Sequence, residues 1–530
     1  MAFSLVADLD VAHDLRVHAS DFLPNSAEAL DLRTRVAHQE HNIQALNVHI
    51  ASLETQLCCL RTQRTSLVES LTIKKALLAP IRRLAPETLG EIFELCNNNS
   101  VAPGVRRIIT PDSVPILVGS VCTKWRRVAL GTPQLWTSLA LEHTTDKPLK
   151  VNPFHVIPEW LNRSGCLPLE IYLGDGLEKI FTSEKHTAAF KQCMVLLGDH
   201  FHRCRSFHVT NAFPNILPAM FPPGSCRNAS SLREIRVIPS IFTLPQRSLK
   251  LGNISAPNLE SIDVYRPSTF FDSITLDYSR LRSLRWNTSM ASNDEESSLD
   301  SLMKVLSLCP NLEECEIMHP SHSTISLDNV TMVSVPSLRR LRLKFTLQAD
   351  PSPLFSVLRT PGLESLTLEQ VSPISNVPGF GGALSTFISA APPPLKELRM
   401  IRLILSAEDA ILLSPLSRLE SLQLHNCFLH PAFLAALSPR AGDHPDAWTV
   451  PKLSSISLNS SAFGTETLAE VVERRLVIPR ESDDQQNSTY HPRLSSVSLT
   501  QCRLSRADQN TLTMLTKTHD GLSVDISDSE

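Results

Sequence analysis

Leu338-Arg339-Arg340-Leu341-Arg342-Leu343 and Leu363-Glu364-Ser365-Leu366-Thr367-Leu368 carry leucine at the same three offsets, and the two runs begin 25 residues apart. In each, the last two leucines alternate with a polar residue, which is the period of a strand with one buried face. The same spacing recurs as Leu232-Ile235-Val237, Leu259-Ile262-Val264, Leu281-Leu284-Trp286, Leu312-Cys315-Ile317, Leu395-Leu398-Met400, Leu419-Leu422-Leu424, Leu453-Ile456-Leu458 and Leu494-Val497-Leu499. Successive first leucines stand 27, 22, 31, 26, 25, 32, 24, 34 and 41 residues apart. Most steps lie near the roughly 20 to 29 residue leucine-rich period, and the longer ones imply inserted loops.

Two copies extend to a fuller pattern, through Cys427 to Leu429 and through Cys502 to Leu504, and weaker copies at Cys204-Phe207-Val209 and Cys166-Leu169-Ile171 carry the start back towards residue 160. Each unit is expected to give one short parallel strand whose apolar residues enter a shared, stacked core. The residues between the last two apolar positions then form one column on the concave face of a horseshoe: Arg236, Asp263, Arg285, Glu316, Arg342, Thr367, Arg399, Gln423, Ser457 and Ser498. With strands about 4.8 Å apart, Arg236 to Arg342 alternate in sign at salt-bridging distance. The column either binds a ligand, mixed in charge in its first half and serine-rich in its second, or satisfies itself and keeps the surface soluble.

Residues 32 to 78 repeat at a different period. Alternate steps of four and three reach Leu32, Val36, Ile43, Leu46, Ile50, Leu53, Leu57, Leu60, Leu67, Leu71 and Leu78, interrupted by Gln39, Arg64 and Lys74, with no Gly or Pro between Asn25 and Ala79. This predicts a coiled-coil helix roughly 70 Å long, in which Ile43 and Ile50 at a positions with Leu46 and Leu53 at d positions favour a parallel pair. Flanking Asn42, Asn47, His49, Gln56 and Gln63 offer few complementary charges. Homodimerisation through the seam, or a helix folded back on the chain's own domains, would each satisfy the pattern.

Between these regions lies a short apolar module. Pro86 suits the first turn of a helix and Glu87 its positive end. Leu89, Ile92, Phe93 and Cys96 then share one face, with Glu91 and Glu94 on the other, while Gly90 costs about 1 kcal/mol relative to Ala. Asn97 to Pro115 reads as a polar loop. A second helix puts Val118, Val121, Cys122, Trp125, Val128 and Ala129 on one face before Gly131-Thr132-Pro133 stops it. Some fifty residues of short helices bury too little surface to stand alone, so the module wants a partner or a neighbouring domain.

Leu84-Ala85-Pro86-Glu87-Thr88-Leu89-Gly90-Glu91-Ile92-Phe93, Val121-Cys122-Thr123-Lys124-Trp125-Arg126 and Thr132-Pro133-Gln134-Leu135-Trp136 resemble, in order, three motifs of the F-box proteins, and more narrowly of the fungal, basidiomycete-type group with C-terminal leucine-rich repeats. Ala85 stands where that family prefers proline and Thr88 where it prefers an aliphatic residue. The resemblance implies docking to the Skp adaptor of a cullin-RING ubiquitin ligase and capture of a protein substrate by the downstream domain. Carried over residue by residue, Leu84, Pro86, Leu89, Ile92, Phe93, Val121, Cys122 and Trp125 would form or support the adaptor-facing surface, unless they are the module's own core.

Composition excludes other classes. With 50 basic and 54 acidic residues, a net charge of -4 leaves no electrostatic footprint for nucleic acid. No apolar stretch reaches the roughly eighteen residues of a membrane span, and Met1 to Asp14 lacks the basic flank of a secretory signal, so a cytoplasmic or nuclear protein is expected. Twelve cysteines without a Cys-x-x-Cys pair read as reduced thiols. The 17 glycines are about half the usual share of roughly 7%, and Gly379-Phe380-Gly381-Gly382 reads as a flexible surface loop rather than a phosphate cradle. His38 with His41, and His319 with His322, have metal-like spacing, but no Cys or carboxylate cluster completes them. No nucleophile elbow or paired-carboxylate arrangement stands out, so neither an enzyme nor a cofactor is expected.

The expected fold class is α/β, in the order N-terminal segment 1–31, coiled coil 32–79, F-box module 80–140, leucine-rich-repeat solenoid 150–520 and a disordered acidic tail 521–530. Ser289 to Ser298 and Glu481 to Thr489 are expected as polar loops. The expected role is a substrate adaptor of a ubiquitin ligase, or else a non-degradative interaction scaffold using the coiled coil and the repeats.

Overall fold

The computed structural model describes residues 23–99, 109–110, 113–142, 153–174, 184–210, 216–238, 252–265, 276–287, 299–319, 331–346, 351–371, 379–438, 449–476, 494–502, 504–518 and 522–527. The segment 1–22, His322 and the two expected loops 289–298 and 481–489 lie outside these. The chain divides into two compact units, residues 1–88 and 89–530.

The first unit is dominated by helix α1, Ser26–Leu78, whose 53 residues span about 80 Å at 1.5 Å each. A capping box starts it: Asn25 Oδ1 accepts from the Ala27 and Glu28 amides at 3.1 and 3.0 Å, and Glu28 Oε2 accepts from the Asn25 amide at 2.9 Å. Ala79 ends it before the 3₁₀ turn Pro80–Arg83. No residue of α1 is buried.

The second unit is built on a 14-stranded, wholly parallel sheet in which each strand lies beside the next strand of that sheet along the chain, an arrangement consistent with a repeat solenoid; among the described residues, six shorter strands pair in three separate two-stranded sheets. Its strands are β1 Ser138–Leu141, β2 Leu169–Leu173, β3 Cys204–Thr210, β4 Glu234–Ile238, β5 Ser261–Tyr265, β6 Ser283–Asn287, β7 Glu314–His319, β8 Arg340–Phe345, β9 Ser365–Gln370, β10 Glu397–Ile401, β11 Ser421–His425, β12 Ser455–Asn459, β13 Ser496–Thr500 and β14 Ser523–Ser527. The repeating apolar residues form the core on one face of this sheet; Leu363, Leu366, Leu368, Leu419, Leu422 and Leu424 are completely buried. Full burial of each such side chain contributes about 1.5–3 kcal/mol.

Two boundaries differ from expectation. Strand β1 precedes residue 150 and begins inside the span assigned to the helical module, ending one residue beyond it. Strand β14 lies within the expected disordered tail and pairs in parallel with β13, from Ser496↔Ser523 to Thr500↔Ser527. Its Ser-Val-Asp-Ile-Ser alternation suits a short edge strand, with Asp525 exposed and Val524 and Ile526 half-buried.

The turns that follow the later strands are stitched in a regular way. Arg402, Asn426, Ser460 and Gln501 each adopt a left-handed backbone, with φ of 61°, 53°, 48° and 54°. Their amides donate to the last strand carbonyl of the following unit: His425, Asn459, Thr500 and Ser527, at 2.9, 2.6, 2.9 and 2.8 Å. The side chain one residue later reaches the preceding unit: Cys427 Sγ to Met400 O at 3.5 Å, Ser461 Oγ to Leu424 O at 3.0 Å and Cys502 Sγ to Leu458 O at 3.4 Å. A left-handed conformation costs an L-residue roughly 1–2 kcal/mol, which the paired amides offset.

Candidate interaction surfaces

The helical module comprises α2 Pro86–Asn99, α3 Val114–Val121 and α4 Thr123–Leu130. The single second helix expected from periodicity is thus two, broken where Cys122 is fully extended (φ -163°, ψ 170°). Nothing in the local sequence marks the break, because the apolar period runs through it. Arg126 Nε donates to Gly119 O at 2.8 Å, satisfying a carbonyl freed at the end of α3. The expected polar loop also ends earlier than Pro115, which sits buried in the first turn of α3.

Within the second unit, the module closes on itself and on β1. Phe93 packs on Trp125 with ring centroids 4.9 Å apart. Trp136 donates from Nε1 to Ala129 O at 2.9 Å and meets Trp160 edge-on at 4.6 Å, and Trp160 in turn donates to Ser138 O at 3.0 Å. Arg163 covers the Trp136 ring 4.6 Å from its centroid. A Cβ at Gly90 would lie 3.1 Å from Thr132 Oγ1, so a larger residue there requires Thr132 to give by a few tenths of an ångström.

This packing sorts the eight expected docking residues. Leu89 and Phe93, at 0% and 1% exposure, are core rather than surface. Trp125, Ile92 and Cys122 are half-buried and Val121 is exposed; in the other unit, Leu84 is half-buried and Pro86 exposed. Cys96, expected on the buried face of α2, is exposed. Three further apolar side chains face solvent: Leu95 at 58%, Leu117 at 51% and Leu130 at 43%. Leu117 and Val121 stand four apart on α3, and Ile92 and Leu95 three apart on α2, so each pair shares a helix face. Spacing alone could not separate these from core leucines, because both kinds recur every three or four residues.

The second surface is the sheet face opposite the core. Its middle column runs in register from Arg236 through Asp263, Arg285, Glu316, Arg342, Thr367, Arg399, Gln423 and Ser457 to Ser498. Asp263, buried, receives Arg236 at 2.6 Å and Arg285 at 3.5 Å on Oδ2, while Asn287 donates to Oδ1 at 3.3 Å. Both contacts to Oδ2 are ionic rather than aligned hydrogen bonds. Arg285 also lies 3.6 Å from Glu316.

The expected alternation stops there. Glu316 takes Lys344, and Arg342 turns the other way to Glu369 at 2.6 Å, which also accepts from Arg402 at 2.9 Å. Glu369 stands one position beyond the leucine pattern, so the column reading passed over it. Burial raises the Glu369 carboxyl, but Arg342, Lys344 and Arg402 outweigh this and hold it below the usual carboxylate range. Arg399, between Thr367 and Gln423, keeps a buried Nε without a hydrogen-bond partner. Next to it, burial and the Arg399 charge lower the His425 pKa. On β3 and β4, His208 Nε2 meets Glu234 at 3.0 Å, and the hydrogen bond from His208 is the main cause of the lowered Glu234 pKa.

No protein-family profile and no curated protein matches this chain. The functional reading therefore rests on these two surfaces and on the motifs.

Among the described residues no group of three or more His, Cys, Asp or Glu could hold a metal ion, and no helix is long and apolar enough to cross a membrane. His38 and His41 are exposed on α1. Burial pushes the Cys427 thiol up to about 11 and the Cys309 thiol up to about 12, so both stay protonated near neutral pH and are poor nucleophiles.

Proposed function

We propose that this chain is a non-catalytic recognition subunit: its helical module docks to a Skp-type adaptor of a cullin ubiquitin ligase, and its sheet, read as the concave face of a leucine-rich-repeat solenoid, holds a protein substrate. The observation that carries the reading is the division of labour inside the module. Leu89, Phe93, Val128, Ala129, Leu135 and Trp136 form its core, whereas Leu95, Leu117 and Val121 remain more than half exposed on its helices. Single exposed aliphatic residues are ordinary, but Leu117 and Val121 adjoin on one face of α3, and adjoining exposed apolar side chains are what a docking surface is built from.

Copurification of the full chain with the adaptor tests this reading. Leu117→Asp with Val121→Asp alters only exposed positions and is expected to abolish recovery of the adaptor. Undiminished recovery by the double variant, or none by the unaltered chain, contradicts it. A scaffold without a ligase is the second reading, favoured by the uncovered seam of α1, and it predicts stable partner complexes that contain no adaptor.

A further inference from the structure

Helix α1 carries a row of large, solvent-exposed apolar residues: Val36, Ile43, Leu46, Ile50, Leu53, Leu57, Leu60, Leu67 and Leu71 are each between 40% and 70% exposed. They lie on one heptad seam. The a positions are 36, 43, 50, 57, 64 and 71 and the d positions 32, 39, 46, 53, 60, 67 and 74; Ile43 and Ile50 at a with Leu46 and Leu53 at d favour two strands in a parallel pair, and only four of the thirteen positions carry that preference. The direction of the second strand is decided by the polar interruptions and the flanking charges.

A parallel, in-register pair sets Arg64 against the partner's Arg64, Lys74 against the partner's Lys74 and Gln39 against the partner's Gln39. Two of its three polar layers are then like-charged. An antiparallel pair centred between Ala51 and Ser52 sets a and d positions against each other so that their numbers total 103. The layers become Leu32 with the partner's Leu71, Val36 with the partner's Leu67, Gln39 with the partner's Arg64, Ile43 with the partner's Leu60, Leu46 with the partner's Leu57, and Ile50 with the partner's Leu53. Every apolar residue in this set meets an apolar residue, and the two polar ones meet each other. Lys74 falls opposite the small Ala29 of the partner.

The flanks agree. In this register Glu40 lies against the partner's Arg61, twice by symmetry, while Arg33 faces the partner's Val68, and Asn47 the partner's Glu54. No like charges face each other. Sliding to the next antiparallel register opposes Glu54 to the partner's Glu54 and Arg33 to the partner's Lys75, so charge selects against it. The centre of the favoured register also nearly coincides with the middle of Ser26–Leu78, so almost the whole helix overlaps.

We infer that the chain forms an antiparallel homodimer through α1, with the Gln39 and Arg64 layers setting its register. The orientation has a functional consequence. Both chains leave the coil at Leu78, and in this dimer those exits lie at opposite ends of the coil, about 80 Å apart at 1.5 Å per residue. A parallel dimer would hold them side by side. The two chains would therefore continue from opposite ends of the coil rather than from one end.

The test uses the full chain with the exposed cysteines Cys58, Cys59, Cys96, Cys166 and Cys226 changed to Ser. Light scattering should give twice the chain mass, and Ile50→Asp should return it to the monomer mass. Under oxidation, Leu46→Cys with Leu57→Cys should give a covalent dimer, whereas Leu46→Cys alone should not, because its two copies lie in different layers. A monomer at micromolar concentration overturns the proposal. So does cross-linking by Leu46→Cys alone, which marks a parallel pair, or a dimer that the double variant does not link. None of these outcomes depends on adaptor docking.

Discussion

Arg475, on the Thr465–Leu476 helix, is almost wholly buried yet carries a charge, donating from Nε to Leu437 O at 2.7 Å and from Nη2 to Val450 O at 3.0 Å. Burial alone lowers its pKa to about 10, still protonated at neutral pH. Arg475→Met keeps the aliphatic stem but strips both carbonyls of their donor, and it should lower unfolding stability in urea by about 2–4 kcal/mol. A loss within about 0.5 kcal/mol, as at an ordinary surface site, would refute this role. Glu369 makes a prediction in pH. Its carboxyl is lower in the folded than in the unfolded chain, so its stabilisation is present above the ordinary carboxylate pKa of about 4.3 and is lost as pH falls through the folded value. Glu369→Gln should therefore cost about 1–3 kcal/mol at pH 7, and melting curves of the two proteins should converge in acid. A difference that persists unchanged at low pH would show that the carboxylate charge is not the cause.

Elements were legible where one residue's neighbours set its environment and obscure where a distant segment did. The strands whose leucines recur at offsets of three and two stood out, because inward and outward positions must alternate. Strand β1 did not, because its first position is Trp136, in the 3₁₀ turn Pro133–Trp136, instead of leucine, although Trp136, Leu139 and Leu141 keep the same offsets and are buried. Strand β14 was masked by its acidic residues. The glycine-rich run shows the same limit. Read as a surface loop, it is the start of helix Phe380–Ala390, with Gly379 left-handed at φ 73° and Gly381 buried. Gly381 donates its amide to Asp409 Oδ1 at 2.9 Å, while the Ser406 amide and hydroxyl bind Oδ2 at 2.8 and 2.7 Å. A Cβ at Gly381 would lie 2.6 Å from Asp409 Cα. Gly381→Ala should accordingly destabilise by about 1–3 kcal/mol in thermal unfolding, although alanine is the better helix former. An increase in melting temperature would mean that this contact relaxes freely.

Across the whole molecule, the local pattern sufficed to expect the parallel sheet and the long helix, and it fell short at surfaces. Within the helical module Leu89 and Phe93, which match the motifs, are core, while Leu95 and Leu117, which no motif marks, are exposed. Periodicity marks which residues are apolar, and only packing tells which of them are left over. On the sheet face the first half of the column is an ion-pair network; in the second half Gln423 donates to Glu397 Oε1 at 2.8 Å, and the column ends in Ser457 and Ser498. The central claim is that the module's leftover apolar residues receive an adaptor. It is tested most directly by the solution affinity of the purified chain for a Skp-type adaptor, measured beside the Leu117→Asp, Val121→Asp variant. The unaltered chain should bind, and the variant should lose about 30-fold or more, the equivalent of one interface hot spot. Equal affinity for the two proteins, or no binding by either, would contradict it.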